Sequence, residues 1–286
     1  MPEPHVPHGS GPSTASEHAI GVFDSGVGGL SVLQALQREL PHERFVYVSD
    51  AGHAPYGEKD DSVVLERSRC IAQYLCAQHR IKALVVACNT ATAAAIGTLR
   101  TSYPELPLVG IEPAIKPALA GSRTGRVGVM ATRGTLASQK FKALAASLPP
   151  TGELVVQACD GLADAIERNN AIKIEALCAQ YTRAMGPFGL QTGQIDTLVL
   201  GCTHYPFAHD SLRTFTGPDV RFLEGGAPVA RHTRKLLETA GLLAPPSATA
   251  GTQFLTSGAT GPLAAAIARW LHVAAPVGQL AAEQAV

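Results

Sequence analysis

Short runs of apolar, β-branched residues alternate along this chain with longer segments in which apolar residues recur every three or four positions. The short runs are typical of buried strands, and the longer segments have the period of amphipathic helices. Predicted strands cover residues 20–23, 45–48, 83–87, 108–111, 127–130, 154–158, 197–200, 220–223 and 253–256. Predicted helices cover residues 29–40, 62–79, 92–102, 136–147, 161–168, 173–185, 228–240 and 262–271. The alternation predicts βα units around mostly parallel sheets, which is an α/β fold.

Part of this order of elements occurs twice. The repeated segments are 20–26 with 127–134, and 84–90 (LVVACNT) with 198–204 (LVLGCTH). Each half therefore delivers a cysteine, Cys88 or Cys202, at the end of an apolar strand. We predict two similar α/β domains in a pseudo-twofold arrangement, with both thiols in an active site in the cleft between them.

The domain boundaries follow from the same pattern. We predict a first domain of residues 19–113 completed by residues 225–273, and a second domain of residues 114–224. Residues 1–18 are rich in Pro, Ser, Gly and His, and residues 274–286 likewise carry no periodicity. Both segments are predicted to be flexible tails.

Composition and charge limit the classes of function that this chain can have. Of the 286 residues, 46% are hydrophobic and 16% are charged, which is typical of a chain that folds. Lys and Arg number 23, as do Asp and Glu, so no basic field argues for nucleic acid as a partner. No apolar run reaches the roughly 18–20 residues that cross a bilayer, and no signal peptide is evident. We expect a cytoplasmic protein without a membrane partner.

The six cysteines are widely spaced and form no CxxC pair, which argues against a zinc site or a disulfide framework. Four of them are interpreted as inert buried thiols: Cys70, Cys76, Cys159 and Cys178. Cys88 and Cys202 differ because each follows a strand, where backbone N–H groups can stabilise a thiolate. His204 lies two residues after Cys202, and a bend in the chain would let the two exchange a proton. By itself, His204 would be interpreted as a capping or core histidine.

A glycine-rich turn follows the first predicted strand. Its sequence is Asp24-Ser25-Gly26-Val27-Gly28-Gly29-Leu30. Phosphate binding is one interpretation, but Ser31 stands where the GxGxxG pattern requires its third glycine, and Asp24 would repel a phosphate. The other interpretation is a tight turn in which Asp24 or Ser25 caps the next helix. A second segment, residues 52–57 (GHAPYG), is interpreted either as a simple turn or as a lid that lends N–H groups to a substrate carboxylate.

Taken together, four segments resemble the glutamate racemases, cofactor-independent enzymes that make D-glutamate for peptidoglycan. They are residues 24–30 (DSGVGGL), 55–57 (PYG), 88–92 (CNTAT) and 201–206 (GCTHYP), in the order found in that family. The resemblance covers about residues 19–240. It implies that Cys88 and Cys202 are acid/base thiols, that Asp24 assists Cys88 and that His204 assists Cys202.

The resemblance also implies a substrate-binding set and a fifth catalytic group. Besides the catalytic Asp24, Cys88, Cys202 and His204, the implied substrate-binding residues are Ser25, Pro55, Tyr56, Gly57, Asn89, Thr90, Thr132, Thr135 and Thr203. The fifth catalytic group is Glu167, although residues 160–163 before it depart from the family's pattern. A homodimer and activation by a cell-wall precursor are further partners suggested by the resemblance.

The chemistry of racemisation agrees with two thiols. A proton leaves Cα on one face and another arrives on the opposite face, so two acid/base groups must flank the substrate. A free thiol has a pKa near 8.5, so a thiolate–thiol pair is reachable at neutral pH with help from Asp24 and His204. None of the seven lysines occupies a strand end suited to a Schiff base, so we expect neither cofactor nor metal. By resemblance, Cys88 serves D-glutamate and Cys202 serves L-glutamate.

Two alternatives stay open at this point. An aspartate or hydantoin racemase would share these motifs, because side-chain length is selected by the shape of the pocket. A non-catalytic small-molecule binding protein on the same scaffold is the alternative from another class. The presence of both thiols and of both neighbouring acid/base groups argues against it.

Overall fold

The computed structural model describes residues 15–148 and 152–280. Within these residues the strands are β1 (Ile20–Asp24), β2 (Arg44–Ser49), β3 (Ala83–Val86), β4 (Leu108–Gly110), β5 (Arg126–Ala131), β6 (Glu153–Ala158), β7 (Thr197–Leu200), β8 (Arg221–Leu223), β9 (Gly251–Thr256) and β10 (Val277–Gln279). The α-helices are α1 (Leu30–Glu39), α2 (Asp61–His79), α3 (Asn89–Ser102), α4 (Ile115–Gly121), α5 (Arg133–Ala137), α6 (Gln139–Ala146), α7 (Leu162–Glu167), α8 (Ala171–Met185), α9 (His209–Thr216), α10 (Gly226–Ala240) and α11 (Thr260–Trp270). No helix in this part of the chain is long and apolar enough to cross a membrane.

The strands form two parallel sheets, which confirms the predicted fold class. The first sheet has the order β10-β9-β2-β1-β3-β4, and the second has the order β6-β5-β7-β8. The order β2-β1-β3-β4 of the first sheet is repeated by β6-β5-β7-β8 of the second. The sequence repeat therefore has a structural counterpart, in which β1 corresponds to β5 and β3 corresponds to β7.

The central strands are apolar along their whole length because helices cover both faces of the sheet. Val22 and Val85 belong to the core cluster that contains Leu33 of α1. Their neighbours along each strand, Phe23 and Val86, belong to the cluster that contains helix α2 and α3 residues. Successive residues of a strand point to opposite faces, so one apolar run supplies both cores.

Some predicted elements differ from the observed ones. The helix predicted over residues 136–147 is two helices, α5 and α6, separated at Ser138. Ser138 has an extended backbone, and its side chain accepts a hydrogen bond from the N–H of Phe141, so it caps α6. Helices α4 and α9 were not predicted. Both are short, with seven and eight residues, and give little periodic signal.

The predicted tails are wrong where the structure describes them as ordered elements. Residues Ala15–Glu17 form a 3₁₀ helix, and Lys82 Nζ donates a hydrogen bond to the carbonyl of Ser16. Strand β10, inside the predicted tail 274–286, pairs in parallel with β9. Three residues with a central glycine are too short to show a strand pattern. The remaining tail predictions, for residues 1–14 and 281–286, lie outside the described residues.

Candidate active site

A cleft of about 690 Å³ lies between the two halves, within the size range of small-molecule sites. Its lining residues follow the carboxyl ends of strands from both sheets, where open α/β sheets bind ligands. From the first half they include Ser25, Pro55, Tyr56, Gly57, Cys88, Asn89, Thr90 and Gly258. From the second half they include Thr132, Cys159, Asp160, Glu167, Cys202 and His204. Both predicted thiols therefore line the same cleft.

Cys88 follows β3 and occupies the N-cap of α3. Its sulfur accepts a hydrogen bond from the N–H of Ala91 at 3.5 Å, and its thiol donates to Ser25 Oγ at 4.0 Å. Burial and the negative charge of Asp24 raise the pKa of the Cys88 thiol, and the Ala91 N–H only partly opposes them. A charged Asp24 therefore opposes ionisation of Cys88, because a buried carboxylate disfavours a second negative charge beside it; that Asp24 assists Cys88 in the reaction stays a prediction.

Asp24 ends β1 and is fully buried. Its carboxylate accepts hydrogen bonds from the N–H of Gly26 at 2.8 Å and from Thr203 Oγ1 at 2.9 Å. Burial raises the pKa of Asp24 to about 6, while the charge of His204 and these two hydrogen bonds lower it. Asp24 belongs to the first half and Thr203 to the second, so their hydrogen bond joins the two sides of the site.

Cys202 follows β7 and has a different set of partners. Its sulfur lies 3.7 Å from Nδ1 of His204, and Nε2 of the same ring lies 2.8 Å from Oε2 of Glu167. Burial alone would lower the pKa of His204, but the hydrogen bonds to Cys202 and Glu167 outweigh it and raise the pKa well above its usual value. The chain bends at His204 into the 3₁₀ turn Tyr205–Ala208, which produces the expected contact with Cys202.

Glu167 reaches the site from the last residue of α7. The N–H of Val27 donates to its carboxylate at 2.9 Å, so Glu167 bridges His204 and the glycine-rich turn. The departure at residues 160–163 does not prevent this contact. Gly161, at the N-cap of α7, has a left-handed backbone (φ 74°), which a glycine adopts without steric cost.

The glycines of the turn at residues 24–30 are explained by close packing against the second half. A Cβ at Gly26 would lie 2.3 Å from Oε2 of Glu167, and a Cβ at Gly28 would lie 2.3 Å from Nδ1 of His204. The interpretation in which Asp24 or Ser25 caps the following helix does not hold. The N-cap of α1 is Gly29, without a side-chain hydrogen bond.

Three predicted threonines meet at the mouth of the cleft. Thr90 Oγ1 lies 3.1 Å from Thr132 Oγ1, and Thr132 donates to Thr135 Oγ1 at 2.9 Å. Gly57 packs against Thr132 so closely that a Cβ would meet the threonine side chain at 2.6 Å. Asn89 donates to the carbonyl of Ile111 at 3.5 Å. Thr135 is not among the lining residues and contacts the cleft through Thr132.

Several lining residues were not predicted from the sequence. Cys159, interpreted as an inert core thiol, lines the cleft, and so do Asp160 and Arg269. Gly258 follows β9, so inspection of every strand end would have found its loop. Arg269 lies within α11 and has no local motif. Among the described residues, no cluster of three or more His, Cys, Asp or Glu side chains is placed to hold a metal ion.

Comparison with known proteins identifies the family to which this chain belongs. Residues 20–233 match the model of the Asp/Glu/Hydantoin racemase family. Glutamate racemase of Methylococcus capsulatus is 47% identical over 232 residues, which are 80% of this chain and 83% of that protein. The structure of glutamate racemase isoform RacE1 from Bacillus anthracis superposes with a TM-score of 0.82 at 30% identity, covering 93% of this chain and 98% of that one.

A third relative was solved with small molecules bound. Escherichia coli glutamate racemase, in complex with L-glutamate and the activator UDP-MurNAc-Ala, has a TM-score of 0.78 at 31% identity and covers 92% of this chain and 98% of its own. The family model spans most of the chain, and the M. capsulatus relative exceeds 40% identity over most of both chains. On this evidence the chain belongs to the Asp/Glu/Hydantoin racemase family.

Proposed function

We propose that this protein is an isomerase that interconverts L- and D-glutamate with two thiols and no cofactor, supplying D-glutamate for peptidoglycan. The observation that carries the proposal is the placement of Cys88 and Cys202 after the equivalent strands β3 and β7, in one cleft between two similar halves. The names of the relatives support glutamate as the substrate.

Glutamate binds with its Cα between the two sulfurs. For one enantiomer a thiolate removes the Cα proton, and the thiol on the opposite side delivers a proton to the other face. Burial and Asp24 raise the pKa of Cys88, which favours its thiol form and the role of proton donor to the intermediate formed from L-glutamate. Cys202 is the base for L-glutamate, and His204 at 3.7 Å exchanges a proton with it between turnovers.

The hydroxyl and amide groups at the strand ends bind the charged groups of the substrate. Ser25, Asn89, Thr90 and Thr132 line the cleft beside the two thiols. Donors aimed at the α-carboxylate stabilise the negative charge that develops when Cα loses its proton. Asp24 and Thr203 are hydrogen-bonded to each other and do not line the cleft themselves, but each is next in the chain to a lining residue, Ser25 or Cys202, and their role is to hold these neighbours in place.

The proposal also covers the partners of this protein and its location in the cell. All six cysteines lie within the described residues and are free thiols. Catalytic thiols persist in a reducing compartment, which supports action in the cytoplasm. The E. coli relative was solved with the activator UDP-MurNAc-Ala, so activation by a cell-wall precursor is part of the proposal. A homodimer is proposed from the family resemblance alone. Adding UDP-MurNAc-Ala to a kinetic assay and measuring the mass in solution test these two points.

Racemisation in D₂O without pyridoxal phosphate tests the central claim. Purified protein is incubated with L-glutamate while optical rotation and loss of the Cα–H signal are followed together. We expect rotation to fall to zero as deuterium enters Cα. A parallel incubation with L-aspartate distinguishes the aspartate racemase alternative. Folded, reduced protein that changes neither amino acid would contradict the proposal and leave a binding protein as the better interpretation.

A further inference from the structure

A buried carboxylate outside the cleft joins two of the cleft's walls. Asp50 follows β2, is fully buried and does not line the cleft. Asp50 accepts hydrogen bonds from Tyr56, Arg67 and Ser257, and we call these four residues the Asp50 cluster; Nδ1 of His53 also lies 3.1 Å from Asp50 Oδ1. Tyr56 lines the cleft, but Asp50, Arg67 and Ser257 do not, so the reaction proposed for the two thiols gives these three residues no role.

The cluster brings together four separate parts of the first half. The Tyr56 hydroxyl donates to Asp50 Oδ2 at 2.5 Å, and Ser257 Oγ donates to Oδ1 at 2.6 Å. Arg67 of α2 donates through Nε and Nη2, both at 3.0 Å, in the two-point geometry that a guanidinium forms with a carboxylate. Burial would raise the pKa of Asp50, but the hydrogen bonds from Arg67, Ser257 and Tyr56 outweigh it and lower the pKa. Asp50 is therefore a charged, fully hydrogen-bonded anchor.

Two of the anchored segments are walls of the cleft. Tyr56 and Gly57 line it on one side, and Gly258, next to Ser257, lines it on another. The two walls also touch directly, because the N–H of Gly52 donates to Ser257 Oγ at 3.1 Å and a Cβ at Gly258 would lie 3.0 Å from the Gly52 nitrogen. The segment 51–57 and the loop after β9 are therefore linked to each other and to Asp50.

The anchored loop also contacts the second half. Gly57 follows Tyr56 and packs on Thr132, which in turn contacts Thr90. A shift of the Tyr56 ring would move Gly57 relative to Thr132, and so change the width of the cleft where substrate carboxylates bind. Misplacement by about 1 Å at a binding group can cost roughly a hundredfold in rate or affinity.

We propose that Asp50 is a positioning residue: through Tyr56 and Ser257 it holds the 55–57 loop and the 257–258 loop in the geometry that binds the substrate carboxylate distant from Cα. This inference rests on the proposed glutamate racemisation. Because the loops bind a part of the substrate that does not react, loss of the anchor weakens ground-state and transition-state binding alike, which raises KM more than it lowers kcat.

The test compares two buried aspartates. Asp196 resembles Asp50, since it accepts hydrogen bonds from Ser122 Oγ at 2.7 Å, Thr197 Oγ1 at 2.9 Å and the N–H of Thr124 at 3.0 Å, but it lies away from the cleft. We expect Asp50→Asn to raise KM for glutamate roughly ten- to hundredfold with a much smaller change in kcat. Asp196→Asn should lower Tm while leaving KM unchanged. An unchanged KM in folded Asp50→Asn, or an equal rise in both variants, would overturn the proposal.

A double-mutant cycle identifies the route through Tyr56. If the Asp50 carboxylate acts by holding the tyrosine hydroxyl, the rise in KM for Asp50→Asn combined with Tyr56→Phe is smaller than the product of the two single effects. A rise equal to that product contradicts the route. If Asp50→Asn does not fold, Ser257→Ala removes one donor to the carboxylate, and an unchanged KM in that variant also contradicts the proposal.

Hydrogen–deuterium exchange separates failure of this inference from failure of the proposed function. If the wild-type protein does not racemise glutamate, the function is wrong, but the order of the loop can still be measured without substrate. Faster exchange over residues 51–58 in Asp50→Asn, with no such change in Asp196→Asn, supports the positioning role. Equal exchange in the wild type and in Asp50→Asn overturns it.

Discussion

The two cysteine sites occupy equivalent places in the two halves, yet their surroundings differ. Cys88 lies beside a buried carboxylate, Asp24, which disfavours its thiolate. Cys202 lies beside an imidazole that is itself hydrogen-bonded to Glu167. The repeat thus supplied two thiols at matching positions, while the residues around them diverged. The two thiols of the proposed reaction therefore differ in the charged groups beside them, and the two sides of the site should respond differently to substitution.

Replacement of either thiol is the strongest test of that comparison. Cys88→Ser and Cys202→Ser should each lower racemisation roughly 10⁴-fold, since each removes an acid/base group. In D₂O, Cys88→Ser should still exchange the Cα proton of L-glutamate, and Cys202→Ser that of D-glutamate. Proton NMR of each enantiomer with each variant measures this. Exchange of the same enantiomer by both variants would contradict the assignment.

Substitutions His204→Asn and Glu167→Gln test the surroundings of Cys202. We expect racemisation to fall roughly 10²- to 10³-fold in the first variant and about tenfold in the second, because Glu167 acts through His204. The enantiomers have equal free energies in water, so kcat/KM must fall equally in both directions. The asymmetry is therefore measured in exchange, which should slow more for L-glutamate than for D-glutamate. His209→Asn, an exposed histidine, serves as the control.

The pH dependence of the free energy of unfolding tests Asp24, the buried carboxylate beside Cys88. Asp24 has a pKa of about 6 in the folded protein against an ordinary 3.8. Its ionised form therefore destabilises the fold by about 3 kcal/mol above pH 6, and this cost disappears as the pH falls towards 3.8. Urea unfolding should show the wild type gaining stability relative to Asp24→Asn as the pH falls from 7 to 4.

Asp196 is the control for this measurement because its pKa shifts in the opposite direction. Hydrogen bonds from Ser122 and the neighbouring backbone outweigh burial and lower the pKa of Asp196. Its contribution to stability is present above its ordinary pKa and is lost as the pH falls through the lowered value. The wild type should therefore lose stability relative to Asp196→Asn as the pH falls below 4. Slopes of the same sign for Asp24→Asn and Asp196→Asn would contradict one of the two assignments, and the sign itself would show which one.

The contact between the two cysteine sites is tested by two glycines. Gly28→Ala places a Cβ against the His204 ring, so we expect a loss of about 1–3 kcal/mol in the free energy of unfolding and reduced activity. Gly97→Ala, inside α3 with open space around it, should stabilise by about 0.5–1 kcal/mol without affecting activity. Thermal unfolding of both variants measures the difference, and a neutral Gly28→Ala would show that the turn can move.

Much of the fold and part of the site could be predicted from local patterns. Strand β7 and the turn at His204 are evident in residues 198–204, since an apolar run ends there at polar side chains. The break at Ser138 and strand β10 were not predicted, because a single helix cap and a three-residue strand change the local sequence pattern too little. Glu167 was implied by resemblance, but its contacts with Val27 and His204 depend on how α7 packs.

Local patterns along the chain are sufficient to predict the βα alternation, the twofold repeat and a cysteine after each equivalent strand. These properties depend on burial and on neighbours in the chain, so they leave periodic patterns. The tertiary structure alone decided the partners of each thiol. Thr203 contacts Asp24 across 179 positions of sequence, and Cys159 lines the cleft although its local pattern resembles that of a core residue. Such contacts between residues far apart in the sequence form only when the two halves pack together. The local pattern of apolar and polar residues therefore cannot predict them.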